Sequence, residues 1–181
     1  MRKITLFILL LCCWSGLAQN NQHLTQQGSV SFFSYTPVEN IRATNNLVYS
    51  LLDLDKEQVA VSMLMRAFTF EKALMQEHFN ESYIESDLYP RATFAGQIQN
   101  FNAGAEQQTC MISGQFTLHG VSQAVEVKTV ISKNGDSYIF SGELQVPVAD
   151  YDIKVPVLLR PNIAKTIAVK FNFEYAPYES E

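Results

Sequence analysis

Apolar and polar residues alternate in several segments of the chain, which is typical of β-strands with one buried and one exposed face. In residues 59–65, valine and methionine occupy every second position. In residues 167–175, large apolar side chains alternate with alanine, lysine, asparagine and glutamate. Residues 110–118 and 138–146 show the same alternation. Each of these four segments is therefore predicted to be a half-buried strand.

Four further segments complete a mainly β chain. Strands are predicted at residues 29–35, 45–53, 91–99 and 122–132, with turn-forming stretches such as "KNGD" between them. About eight antiparallel strands with one apolar face can form either a two-sheet sandwich or a closed barrel. A barrel of about eight strands leaves an interior that holds one small ligand.

One short helical excursion interrupts the strands, near residues 70–82. The run "EKALMQE" consists of good helix formers, and the alternation disappears there. Polar groups are concentrated on this segment, where His78 lies between Glu77 and Glu81. A zinc helix needs a second histidine four residues later, on the same face, but that position is Ser82. We therefore predict neither a metal site nor a catalytic site on this helix.

The first residues have the pattern of a secretory signal peptide. Arg2 and Lys3 precede the apolar run "ITLFILLLCCW", which ends at the small-residue site "SGLA". Residues 1–18 are therefore predicted to be removed, leaving one domain, residues 19–181, secreted across the inner membrane. No later stretch is apolar enough for an integral membrane span. Cys110 is the only cysteine of that domain, so no intrachain disulfide is expected.

Neither the net charge of the chain nor its motifs indicate a nucleic acid or nucleotide partner. The formal net charge is −5, and the basic residues are scattered along the chain. No glycine-rich phosphate loop and no G-x-S-x-G nucleophile motif occurs. No cofactor is predicted.

The remaining candidate site is the apolar face shared by the predicted strands. Its large members are Phe32, Met63, Met65, Phe94, Ile98, Ile112, Phe116, Phe140, Phe171 and Phe173. Such residues form either the packed core of a β-protein or the lining of an apolar cavity, and periodicity does not separate the two. The same face carries Gly96, Gly114 and Gly142, which are expected to leave room inside.

Two sequence blocks resemble the motifs of the YceI-like family. The first, "YPRATF", matches the family's Tyr-Pro-x-Ala-Thr-Phe run through Tyr89, Pro90, Ala92, Thr93 and Phe94. The second, "GQFTLHGV", resembles its Gly-x-Leu-Thr-x-His-Gly-Val hairpin through Gly114, Thr117, His119, Gly120 and Val121. The two blocks stand in the family's order, and weaker agreement extends from about Ser29 to Tyr175.

The resemblance implies a lipocalin-like antiparallel β-barrel in the bacterial periplasm, with no enzymatic activity. It implies a small apolar lipid as the partner, namely a polyisoprenoid or an isoprenoid quinone, with fatty-acid-type lipids as alternatives. His78, Tyr89 and His119 are the polar candidates for the rim. A structural or stress-response barrel without a ligand, or a lipid-modifying enzyme that uses His78 and His119, are the alternative functions. The sequence leaves open whether the chain forms a homodimer.

Overall fold

The computed structural model describes residues 21–36, 39–157 and 163–178. The predicted signal peptide, residues 1–18, lies outside them. The strands of the described chain are β1 (Gln22–Ser34), β2 (Ile41–Asp53), β3 (Gln58–Leu64), β4 (Thr69–Phe70), β5 (Arg91–Ile98), β6 (Gln107–Leu118), β7 (Val121–Asn134), β8 (Ser137–Pro147) and β9 (Thr166–Pro177).

Eight of these strands close into one antiparallel barrel. The strand order is β1-β9-β8-β7-β6-β5-β3-β2, and β2 pairs back with β1. The two-residue strand β4 pairs with Ala43 and Thr44 of β2, beyond the part of β2 that pairs with β3. The predicted lipocalin-like barrel is confirmed, and the sandwich alternative is wrong. Closure pairs both edges of every ring strand, which removes the exposed edge that a sandwich would leave.

Two strands begin earlier than predicted. The alternation predicted strands at residues 29–35 and 45–53, whereas the structure has Gln22–Ser34 and Ile41–Asp53. Both observed strands are 13 residues long, and each contains a break in its alternation.

A β-bulge explains the break. In β1, Gln26 and Gln27 are both exposed, and in β2, Asn46 and Leu47 are both exposed. The register between the two strands shifts on either side of Gly28. A bulge reverses which face of the sheet the preceding side chains point to. A single alternating pattern therefore matches only the part of the strand that follows the bulge.

The predicted helical excursion is confirmed as a helix, α1 (Ala73–His78), that continues into a π-helical turn (Phe79–Tyr83). None of its residues is fully buried. No side chain caps its N-terminus at Lys72. Tertiary contact rather than capping must therefore hold the segment in place, because so short a helix is not stable alone.

The contact that holds α1 is an aromatic cluster. The Phe79 ring lies 5.5 Å from the Phe32 ring, 5.8 Å from the Phe68 ring and 5.0 Å from the Phe70 ring, centroid to centroid. Phe32 lies near the end of β1, so the cluster fixes α1 over that end of the barrel. We call it the helix end.

The opposite end of the barrel is closed by side chains. The His23 ring makes a hydrogen bond of 2.9 Å with the Asp136 carbonyl oxygen, and it meets the Tyr138 ring edge-on at 5.3 Å. The Tyr138 hydroxyl donates to the Ala103 carbonyl oxygen at 3.3 Å. These contacts tie the start of β1 to the β7–β8 turn and to the loop between β5 and β6.

Candidate functional site

The barrel encloses a cavity of about 520 Å³. This volume lies within the range of roughly 300–1,000 Å³ that small-molecule sites occupy. Its walls are the inward side chains of the strands, and α1 and the π-helical turn contribute to its lining at the helix end. The interior is therefore not packed solid, and the apolar face forms the walls of a chamber.

The structure places the predicted apolar residues as follows. Those that line the cavity are Phe32, Met63, Met65, Phe94, Ile112, Phe116, Phe140, Phe171 and Phe173. Ile98 does not line it; this residue is buried in the core at the end of β5, toward the closed end of the barrel. That the lining residues contact a ligand stays a prediction.

Several lining residues were not predicted as part of the site. Leu74, Met75, Phe79 and Tyr83 face the cavity from the helical segment. Their helical spacing marks the face that looks into the barrel. Side chains of the loop after β8, Ile153, Val155 and Ile163, also line the cavity. This stretch contains proline and shows no hydrophobic periodicity, so the sequence does not predict that these side chains face the cavity.

The glycines do not leave empty space, contrary to expectation. A Cβ atom at Gly96 would lie 2.6 Å from the tip of the Phe94 ring, and one at Gly142 would lie 2.7 Å from the tip of the Phe171 ring. The tip of each aromatic ring therefore occupies the space that a side chain at the glycine would need. The glycines serve the cavity indirectly, because a side chain there would push the ring away from the wall and into the chamber.

Polar groups in the cavity wall are bonded within the protein. The Thr129 hydroxyl donates to the Val127 carbonyl oxygen at 3.3 Å, and the Tyr175 hydroxyl shares a hydrogen bond of 2.6 Å with Ser50. Burial raises the pKa of Tyr175, so its hydroxyl remains uncharged. The Ser34 hydroxyl accepts from the backbone of the loop before β9. The wall thus presents an apolar surface to a bound chain.

The helix end carries the charged lining residues and two further polar ones. Lys72 and Glu39 form an ion pair there, and His78 and Tyr83 complete the set. No side-chain hydrogen bond joins His78 or Tyr83 to another described residue. Burial raises the pKa of Tyr83, which keeps its hydroxyl protonated. We call these four side chains the mouth.

Of the three predicted rim residues, His78 lines the cavity, whereas Tyr89 and His119 do not. His119 Nδ1 lies 3.0 Å from the Tyr151 carbonyl oxygen, and Nε2 lies 3.1 Å from a Glu85 carboxylate oxygen. The Tyr89 ring packs on the imidazole at 4.4 Å. His119 thus ties the β6–β7 turn to the chain that leaves the helical segment. Both ring nitrogens are engaged in these contacts.

Replacing His119 by asparagine is expected to lower the free energy of unfolding by about 1–2 kcal/mol. The φ angle of His119 is 51°, a left-handed conformation that asparagine tolerates, so the turn itself is kept while the bond to Glu85 is lost. Urea denaturation measures the difference. Glu81→Gln, which removes an exposed acid with no such bond, is the control and should change stability by less than about 0.5 kcal/mol. Equal stabilities of His119→Asn and the wild type would contradict this role.

A metal site and a membrane-spanning helix are both absent from the described part of the chain. Residues 21–36, 39–157 and 163–178 contain no group of three or more His, Cys, Asp or Glu side chains that could hold a metal ion. Over the same ranges, no helix has the length and apolar character needed to cross a membrane. The free thiol of Cys110 is buried, and burial raises its pKa, which lowers its reactivity.

A closed antiparallel barrel of eight strands around an apolar cavity defines a lipocalin-like barrel. The chain belongs to the YceI-like family, whose domain model matches residues 21–175. The motif resemblance in "YPRATF" and "GQFTLHGV" is thereby confirmed. No individually curated protein matches the chain.

Solved structures of the same fold cover most of the chain. A polyisoprenoid binding domain from Saccharophagus degradans, implicated in plant cell wall breakdown, aligns with a TM-score of 0.75 at 13% identity, over 87% of this chain and 99% of its own. Burkholderia cenocepacia BcnA aligns with a TM-score of 0.69 at 18% identity, over 81% of this chain and 95% of its own. The Campylobacter jejuni YceI protein aligns with a TM-score of 0.57 at 13% identity, over 99% and 100%. Identities this low establish the fold alone.

Proposed function

We propose that this protein binds a long apolar lipid of the polyisoprenoid or isoprenoid quinone type inside its barrel. The observation that carries the proposal is the apolar cavity of about 520 Å³ inside the barrel. A relative of the same fold is described as a polyisoprenoid binding domain, which supports this choice of ligand.

Burial of the ligand tail supplies the binding free energy. Apolar surface removed from water contributes roughly 25 cal/mol per Å², so an enclosed isoprenoid chain binds without any charged contact. Aromatic rings and methionines suit a methyl-branched chain, because rings give broad contact area and thioether side chains adjust to local shape. The lipid is held and shielded rather than chemically changed.

Export of the protein is part of the same proposal. The N-terminal pattern in residues 1–18 supports secretion across the inner membrane into the bacterial periplasm. A lipid that moves through that aqueous compartment has to be covered, and a barrel that encloses the tail provides the cover.

Adding geranylgeraniol or a short-chain ubiquinone to the purified protein is expected to raise its melting temperature. Ligand that binds only the folded state at about 100 times its Kd adds about 2.7 kcal/mol, which shifts Tm by about 5–10 °C in a chain of this size. The shift should grow with ligand concentration and be absent with solvent vehicle alone. An unchanged Tm with both lipids at saturating concentration would contradict the proposal.

A further inference from the structure

The charged groups of the mouth restrict which headgroup the cavity accepts. Among the described lining residues, Lys72 is the only one with a fixed positive charge, and Glu39 is the only carboxylate. The two form an ion pair, so each neutralises the other where a headgroup would lie. The described part of the lining therefore offers no unpaired cation to a phosphate or carboxylate group.

The other polar groups of the wall give a headgroup no alternative position. The hydroxyls of Thr129 and Tyr175 and the Ser34 oxygen already have partners within the protein. A polar headgroup placed beside them would lose its hydration without gaining a free hydrogen-bond partner. The tail therefore enters first, and the headgroup stays at the mouth.

The helical segment adds negative charge around the mouth. Glu71, Glu77 and Glu81 are all exposed on residues 71–83, where Lys72 is the only lysine or arginine. A ligand with an anionic headgroup would approach these carboxylates and would also compete with Glu39 for Lys72. Both effects oppose anion binding, because like charges repel and the cation is already compensated.

An uncharged headgroup meets no such opposition. The Tyr83 hydroxyl and the His78 ring line the mouth and make no side-chain hydrogen bond to other described residues, so both can bind an alcohol or a quinone carbonyl. We propose that the mouth selects lipids with a neutral polar headgroup over their phosphorylated forms, and that Glu39 sets this selection by neutralising Lys72. This inference rests on the proposed lipid-binding function.

The test compares geranylgeraniol with geranylgeranyl monophosphate, which share a tail and differ in headgroup charge. Wild-type protein is expected to bind the alcohol about tenfold more tightly than the phosphate in isothermal titration at low salt. In Glu39→Gln, the phosphate is expected to bind about three- to tenfold more tightly than it binds wild type, so that the wild-type preference for the alcohol is reduced or lost. That gain should shrink as salt is raised from about 0.15 M to about 1 M.

A second ion pair on the same end of the molecule provides the matched control. Arg66 and Asp87 are also paired through exposed side chains, but neither lines the cavity. Asp87→Asn releases a cation and changes the net charge by the same amount as Glu39→Gln. It should leave the affinity for both ligands within about twofold of wild type, since exposed charges outside the site act weakly.

The outcomes separate this inference from the function on which it rests. Equal or tighter phosphate binding by wild type, or the same gain in Asp87→Asn as in Glu39→Gln, would overturn the headgroup selection while lipid binding stands. Failure of wild type to bind either ligand would overturn the lipid-binding function itself, and the headgroup inference with it.

Discussion

Replacing Val169 by tryptophan is expected to abolish lipid binding while leaving the barrel folded. Val169 lies on the inner face of β9, between Phe32 on β1 and Leu144 on β8, and it lines the cavity. Because Val169 lines the cavity, an indole at this position extends into the chamber. The added side chain therefore occupies the volume of the ligand, and we expect the affinity for geranylgeraniol to fall by about 100-fold or more.

A tryptophan on the opposite face of the same strand is the control. Asn172 is exposed on β9 and does not line the cavity, so Asn172→Trp adds the same side chain outside the barrel. Isothermal titration should give wild-type affinity for Asn172→Trp, and circular dichroism should give a folded β spectrum for both variants. Retention of wild-type affinity by folded Val169→Trp would show that the ligand binds elsewhere.

Replacing Gly114 by alanine is expected to have the largest effect on stability. Gly114 on β6 pairs with Gly96 on β5, and a Cβ atom at Gly114 would lie 2.2 Å from the Ala95 carbonyl oxygen and 2.6 Å from the Gly96 Cα atom. Both obstacles are backbone, so no rotamer change relieves the clash. The strands must separate at this point of the ring, and we expect a loss of about 3 kcal/mol or more, with Tm lower by about 10 °C.

The matched control is Gly104→Ala in the loop before β6. A Cβ atom there would meet only the end of the Asn102 side chain, at 3.3 Å. Its free energy of unfolding should stay within about 0.5 kcal/mol of wild type. Differential scanning calorimetry compares the two variants. A Gly114→Ala protein as stable as Gly104→Ala would contradict the close approach of β5 and β6.

Alternation in the sequence predicted the barrel walls because each strand has one face inside and one outside. For this reason Met63, Phe116 and Phe140 could be assigned to the inner face before the structure was known. The same reasoning failed at the β1–β2 bulge, where the shift at Gly28 reverses the phase. A local pattern carries no information about register to a neighbouring strand.

The mouth of the cavity could be predicted only in part. Helical spacing placed His78 on a segment near the barrel, and the structure puts it in the lining. The pairing of Glu39 with Lys72 joins residues 33 positions apart, and only the folded chain brings them together. Conversely, His119 belongs to a family motif, yet it fixes the β6–β7 turn instead of reaching the cavity. A motif identifies the family without revealing what each of its residues contacts.

The central claim is that the barrel holds a long apolar lipid, and native mass spectrometry tests it most directly. Protein purified without detergent or organic solvent from lipid-containing cells would be measured intact, and the bound molecule would then be released and identified. We expect an adduct whose mass and fragmentation identify an isoprenoid alcohol or quinone, present in wild type and Asn172→Trp and absent from Val169→Trp. Wild-type protein with no lipid adduct, or an adduct retained by Val169→Trp, would contradict the account.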